Sequence, residues 1–119
     1  GVAVPGAIDY INLHGTATPA NDAAEGRAVG ELFGSAVACS STKGATGHTL
    51  GAAGAVEAVI CILALQHQLL PGSPHTATLD PAFVINYLQT PRHGRVRRVL
   101  SNSFGFGGSN CSLVFASAP

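Results

Sequence analysis

Two histidines stand in separate glycine-bounded motifs, His14 in His14-Gly15-Thr16-Ala17-Thr18-Pro19 and His48 in Lys43-Gly44-Ala45-Thr46-Gly47-His48. A third loop is the glycine-rich turn Ser103-Phe104-Gly105-Phe106-Gly107-Gly108. Imidazoles converging from such loops can aim two hydrogen bonds at one developing oxyanion, and stabilising that charge is a major source of rate acceleration. No residue has the setting of an activated nucleophile. Cys39 and Cys111 fall in strand-like stretches and Cys61 in an apolar helical one, none at a helix N-terminus where a thiolate is favoured. The chain therefore reads as part of an active site.

Glu57 is the strongest single signal. It lies mid-helix among Ala53, Val56, Ile60 and Leu63, where an unpaired carboxylate would be costly to bury. Lys43 is the only lysine, so the pattern predicts a Lys43–Glu57 pair beneath His48; the alternative is a polar gap on the helix surface. The glycines around His48 permit close backbone approach, and the nearby helix N-terminus favours a neutral imidazole and neighbouring negative charge. His14 follows a strand directly, at the carboxyl end where α/β sheets place ligands. Thr16 and Thr18 could offer hydroxyls to a substrate amide or cap the helix after Pro19. Phe104 and Phe106 alternate with glycine hinges, as a gate over an apolar tunnel or an ordinary hairpin would. The turn is not a phosphate loop, since no Gly-Lys-Ser/Thr follows. No metal-ligand spacing is present, and His67, His75 and His93 read as exposed.

These loops need elements to position them. Residues 7–13 read as a central strand, apolar on both faces. Residues 20–33 read as an Ala-rich helix with Asp22 and Glu25 in its first turns, ended by Gly34. A short strand is expected over 36–41 and a helix over 50–68, apolar nearly all round and so buried on most sides. Residues 71–91 read as an extended connection. Strands over 95–101 and 110–116 flank the glycine-rich turn. The order β-α-β-α-loop-β-β predicts an α/β layer architecture with a mixed sheet.

With 119 residues, six basic and six acidic side chains and no net charge, the chain is one small domain without an electrostatic case for nucleic acid or anionic membrane. Charged residues make up only 10% and apolar ones 46%, which predicts burial against another chain or a further segment. Three cysteines suit small buried residues in a reducing cytoplasm. The apolar run from Leu50 to Leu65 is broken by Glu57 and falls short of the roughly 20 residues of a membrane span, and no signal peptide is visible. The basic run Arg92, Arg95, Arg97 and Arg98 reads as a solvated strand edge, or as a docking patch for an acidic carrier protein.

Together the motifs resemble the β-ketoacyl-acyl-carrier-protein synthases of the fatty-acid type, condensing enzymes of the thiolase-like superfamily. The resemblance rests on residues 14–19 with Asp22 and Glu25, on residues 43–54 with Glu57, and on residues 101–110, in family order and spacing. The initiating branch carries Asn where this chain has His48. Type II polyketide synthases share the fatty-acid-type motifs. The resemblance implies that residues 1–119 are the C-terminal segment of a thiolase-like fold of two similar α/β halves, the nucleophilic cysteine lying in an N-terminal half outside this chain. It implies decarboxylative Claisen condensation of malonyl-carrier protein with an acyl thioester. His14 and His48 would hold the thioester oxygen, with Lys43, supported by Glu57, setting the electrostatics around His48. Thr16 and Thr18 would contact the phosphopantetheine arm and Phe104 would gate the acyl pocket. Asp22 and Glu25 would belong to the supporting polar network. It further implies no cofactor beyond the carrier's phosphopantetheine, acyl carrier protein and the other half as partners, a homodimer of the complete enzyme, and inactivity of this segment alone. A non-catalytic partner of the chain-length-factor kind, or a hydrolase or binding module using Cys39 or Cys111, are the competing readings.

Overall fold

The computed structural model describes residues 5–74, 80–82 and 84–119, so His75 lies outside it. After a 3-10 turn at Pro5–Ala7, β1 (Tyr10–Asn12) leads to α1 (Pro19–Phe33) and β2 (Ala38–Ser40). A one-turn helix α2 (Lys43–Thr46) and a 3-10 turn (Leu50–Ala52) precede α3 (Ala53–His67). Then come β3 (Leu69–Leu70), β4 (Asn86–Tyr87), β5 (Arg92–His93), β6 (Arg98–Phe104) and β7 (Asn110–Ala116). The main sheet runs β4-β2-β1-β6-β7, parallel except for β7, and β3 pairs with β5 in a second, antiparallel one. A mixed sheet is thus observed.

Side-chain alternation makes this three layers, because successive residues of a strand face opposite ways. Ile11 and Leu13 of the β1 region pack with Val29 and Phe33 of α1, while Tyr10 packs with Cys61 of α3 across the other face. Likewise Leu100 joins the α1 side and Val99 the α3 side. The central β1 pairs in parallel with both β2 and β6. Its exit at Leu13 and His14 is therefore flanked by both neighbours, and both helices close over it.

Several boundaries differ from expectation, for physical reasons. The first strand is shorter than 7–13 because Pro5–Ala7 coils and Asp9 turns its carboxylate to the main-chain N–H groups of Arg97 and Arg98, at 2.8 and 2.9 Å. The later hairpin begins at Arg98, not Arg95, because Gln68 takes both main-chain groups of Val96 with its side-chain amide. It also continues to Phe104, paired with Asn110, so only the tip of the glycine-rich segment turns. Within the expected connection over 71–91, the structure places β4 alongside β2. The helix expected over 50–68 is a 3-10 turn followed by α3, and α3 buries one stripe only: Ala53, Glu57, Cys61 and Ala64. Val59, Ile62 and Leu63 are exposed, as are Leu113 and Val114 of β7. Small residues line the buried stripe, and Gly54 lets α3 approach β6 so closely that a Cβ there would lie 3.2 Å from Ser103 Oγ. By length and hydropathy the stretch Leu50–His67 could cross a membrane. In this fold it packs on β6, with its Glu57 buried in an ion pair. Cys111 is exposed rather than buried, since it lies on edge strand β7, whereas Cys39 and Cys61 are buried.

Candidate active site

At the carboxyl end of β1, His14 is held from both faces of the sheet. From the α1 side, Glu25 accepts the main-chain N–H of His14 at 2.8 Å and of Gly15 at 2.9 Å, one on each carboxylate oxygen. Glu25 thus serves the His14 loop rather than the α1 dipole, and burial raises its carboxyl pKa against the pull of these N–H groups. From the α3 side, Lys43 and Glu57 form the expected ion pair, both side chains nearly inaccessible. The pair is not centred beneath His48, however. Lys43 Nζ lies 3.4 Å from Nδ1 of His14, so its ammonium meets the other imidazole. Burial pushes the Glu57 carboxyl up, with Lys43 drawing it down.

This geometry dictates the protonation of His14. Burial first and the Lys43 charge second lower its pKa to about 4. The ring is therefore neutral near pH 7, with Nδ1 turned to an ammonium and the proton on Nε2. His48 has the same tautomer for a different reason. The main-chain N–H of Leu50 donates to its Nδ1 at 3.4 Å, leaving Nε2 as the donor. Leu50 reaches this pose with a positive φ of 52°, a left-handed conformation costly for a branched residue.

The two rings meet edge to face, with centroids 5.6 Å apart at 86°. Phe104 completes the cluster, its ring centroid 5.5 Å from that of His14. Gly15 makes the close turn possible: its φ is +42°, and a Cβ there would sit 2.6 Å from Ser41. All three loops singled out by sequence therefore meet, bringing together His14, His48, Lys43, Glu57, Glu25 and Phe104. Asp22 is close enough to raise the His14 pKa slightly against the larger effects. Thr16 and Thr18 hydrogen-bond each other at 2.9 Å, and Thr18, although at the N-cap of α1, makes no side-chain capping bond. Phe106 is fully exposed at the turn tip and joins no ring contact among the described residues. His67 and His93 are exposed, as expected.

Sequence reasoning missed the polar layer below the site. Tyr10 and Ser40 hydroxyls share a 2.5 Å bond, and Asn12 Nδ2 donates to Tyr10 Oη and Thr42 Oγ1 at 3.3 Å each. This network ties β1 and β2 together and fixes the start of α2, hence the stem of Lys43. Its signal was an asparagine and a serine at alternating, inward positions of apolar strands. Burial lifts the Cys39 thiol to about 12 and the Cys61 thiol to about 11, so neither is a ready nucleophile.

A parallel α/β sheet thus sets two imidazoles over a buried Lys–Glu pair at its carboxyl edge, an arrangement chemically able to stabilise an oxyanion. Residues 1–77 match the family described as "Beta-ketoacyl synthase, C-terminal domain", and the chain belongs to that family. It is 50% identical to the mitochondrial 3-oxoacyl-[acyl-carrier-protein] synthase of Arabidopsis thaliana, over 95% of this chain and 26% of that protein. The ketosynthase ApeO of Xenorhabdus doucetiae, solved in complex with its chain length factor ApeC, superposes with a TM-score of 0.90 at 46% identity. That match covers 97% of this chain and 30% of the solved one. A β-ketoacyl synthase from Burkholderia phymatum STM815 gives a TM-score of 0.92 at 38% identity, covering 97% and 29%. The fold is thus thiolase-like, and the chain spans about a quarter of the length of its curated relative.

Proposed function

We propose that these residues supply the decarboxylation half of a β-ketoacyl-acyl-carrier-protein synthase active site. The observation that carries the reading is the pair of imidazoles 5.6 Å apart, each with Nδ1 occupied by a donor. Two Nε2–H groups are then free to bind one thioester oxygen. Loss of carbon dioxide from a malonyl thioester leaves an enolate, and two fixed donors stabilise that charge more than the starting carbonyl. The enolate carbon then attacks an acyl thioester, forming the new carbon–carbon bond and expelling a thiolate. That acyl group would be carried on a cysteine outside this chain: Cys39 and Cys61 are buried thiols far from thiolate character, and Cys111 lies within edge strand β7 rather than at a helix N-terminus.

Residues 1–119 are accordingly read as the C-terminal segment of a larger ketosynthase domain, whose remainder covers Val59, Ile62, Leu63, Leu113 and Val114. The substrates arrive on the phosphopantetheine of acyl carrier protein, with the paired hydroxyls of Thr16 and Thr18 beside its path and Phe104 at the acyl entrance. Carrier protein approaches from the His14 end of the sheet. The exposed arginines at 95, 97 and 98 lie at or just before the start of β6, the opposite end, which disfavours them as its docking patch, while Arg92 lies apart on β5. Free cysteines fit a reducing compartment such as the cytoplasm. Fatty-acid and type II polyketide synthesis both fit this chemistry.

The test uses the complete ketosynthase polypeptide with His48→Ala. Carbon dioxide release from malonyl-carrier protein should be lost while acyl transfer to the enzyme stays measurable. Undiminished release would end the reading.

A further inference from the structure

On the α1 face of the sheet a chain of hydrogen bonds runs inward from the hairpin to His14. Ser112 Oγ on β7 donates to Asn102 Oδ1 on β6 at 2.7 Å. Asn102 Nδ2 donates in turn to Glu25 Oε1 at 3.4 Å. Glu25 then receives the His14 and Gly15 main-chain N–H groups on its two oxygens. Asn102 and Ser112 stand directly opposite each other in the β6–β7 register, so hairpin pairing itself builds the first link.

An amide side chain has an oxygen and an NH2 of nearly equal size, and only its hydrogen bonds decide which way round it sits. Turned by 180°, Asn102 would set an acceptor against the buried Glu25 carboxylate and lose the donor. The acceptor-only Glu25 carboxylate decides that direction, and the Ser112 hydroxyl, bonded to Oδ1, anchors the amide at its other end. A carboxylate with three donors has a fixed plane, and a fixed plane aims two successive N–H groups. We propose that Ser112 and Asn102 are positioning residues, which act through Glu25 to set the direction of the His14 imidazole. The reading rests on the assignment of His14 as an oxyanion donor. It gives the hairpin register a part in catalysis that Ser112, exposed on an edge strand, would not suggest.

The test is run in the complete ketosynthase polypeptide, following carbon dioxide release from malonyl-carrier protein. Ser112→Ala should lower kcat about tenfold, as expected for one misaligned donor, with KM changed by less than about twofold. Ser112→Thr, which keeps the hydroxyl, should restore the rate. Asn102→Asp replaces the NH2 donor with a second carboxyl facing Glu25, so the link survives only while the pair holds one proton. Its kcat should therefore fall as pH rises, where the unsubstituted enzyme's does not. The other titratable groups that sense Glu25 are Asp22 on α1 and Cys39 on β2, and neither is changed by the substitution. An unchanged kcat in Ser112→Ala, even with a lower Tm, overturns the proposal, as does a failure of Ser112→Thr to restore it or an unaltered pH profile in Asn102→Asp. Absence of carbon dioxide release from the unsubstituted enzyme would instead reject the reaction. The relay is then judged by the ring 15N shifts of His14, which should move in Ser112→Ala and return in Ser112→Thr; shifts that stay put overturn it.

Discussion

His14 sits at the end of a buried strand, its main chain clamped by Glu25 and its ring set against Lys43, whereas His48 stands on an exposed loop with its ring steadied by the Leu50 main-chain N–H. Both arrive at the same tautomer. The first does so through burial and charge, which are hard to perturb singly. The second relies on backbone conformation, a left-handed leucine following a glycine-rich loop. A pair of donors can thus be matched in chemistry while differing in what holds them, and substitutions should separate the two.

The largest effect should come from the charges beneath His14. In the complete polypeptide, Glu57→Ala leaves Lys43 buried without its counter-charge and should cost about 3–5 kcal/mol of stability by denaturant unfolding. A change below about 1 kcal/mol would mean that the carboxylate is solvated. Next, His14→Ala and His48→Ala should each reduce malonyl decarboxylation by about 10²–10³-fold, the usual value of one oxyanion donor. Of the two, His14→Ala should also change thermal stability, because only that ring is buried; equal stability effects would erase the contrast. A third, smaller effect concerns pH. The pKa of His14 falls from 6.5 to about 4 on folding, so between those values the unfolded state binds the extra proton. Its contribution to stability is complete above pH 6.5 and is lost as pH falls toward 4. The difference between the stability–pH curves of the parent and His14→Ala should therefore slope in that window and flatten above it. Smallest of all, Thr18→Ala should cost less than about 0.5 kcal/mol, below the roughly 1 kcal/mol typical of an N-cap, since its side chain makes no capping bond. A larger loss would restore the capping role.

Much of the site was legible because its parts are chemically conspicuous. A carboxylate in an apolar helix requires a partner, and a single lysine leaves little choice; that argument found the Lys43–Glu57 pair. Glu25 was less legible. Its position near a helix start invites a dipole explanation, while its actual partners are main-chain groups that carry no residue identity. The wholly apolar look of the helix over 50–68 misled for a related reason. Hydropathy counts how much surface a helix could bury, not which stripe finds a neighbour within this chain, and α3 offers only its small residues and Glu57 to the sheet. The hairpin boundary moved because side chains of Asp9 and Gln68, remote in sequence, satisfied the main chain around Val96.

Local chemistry by itself determined the alternation of strands and helices, the glycine at the His14 turn, the three loops that meet at the candidate site and the ion pair among them. Only the tertiary structure decided which imidazole the lysine faces, which carboxylate grips the main chain, and that Phe104 rather than Phe106 meets the His14 ring. Spacing along a chain limits which groups can meet, but distance and direction between elements arise from packing, and protonation follows from distance and burial.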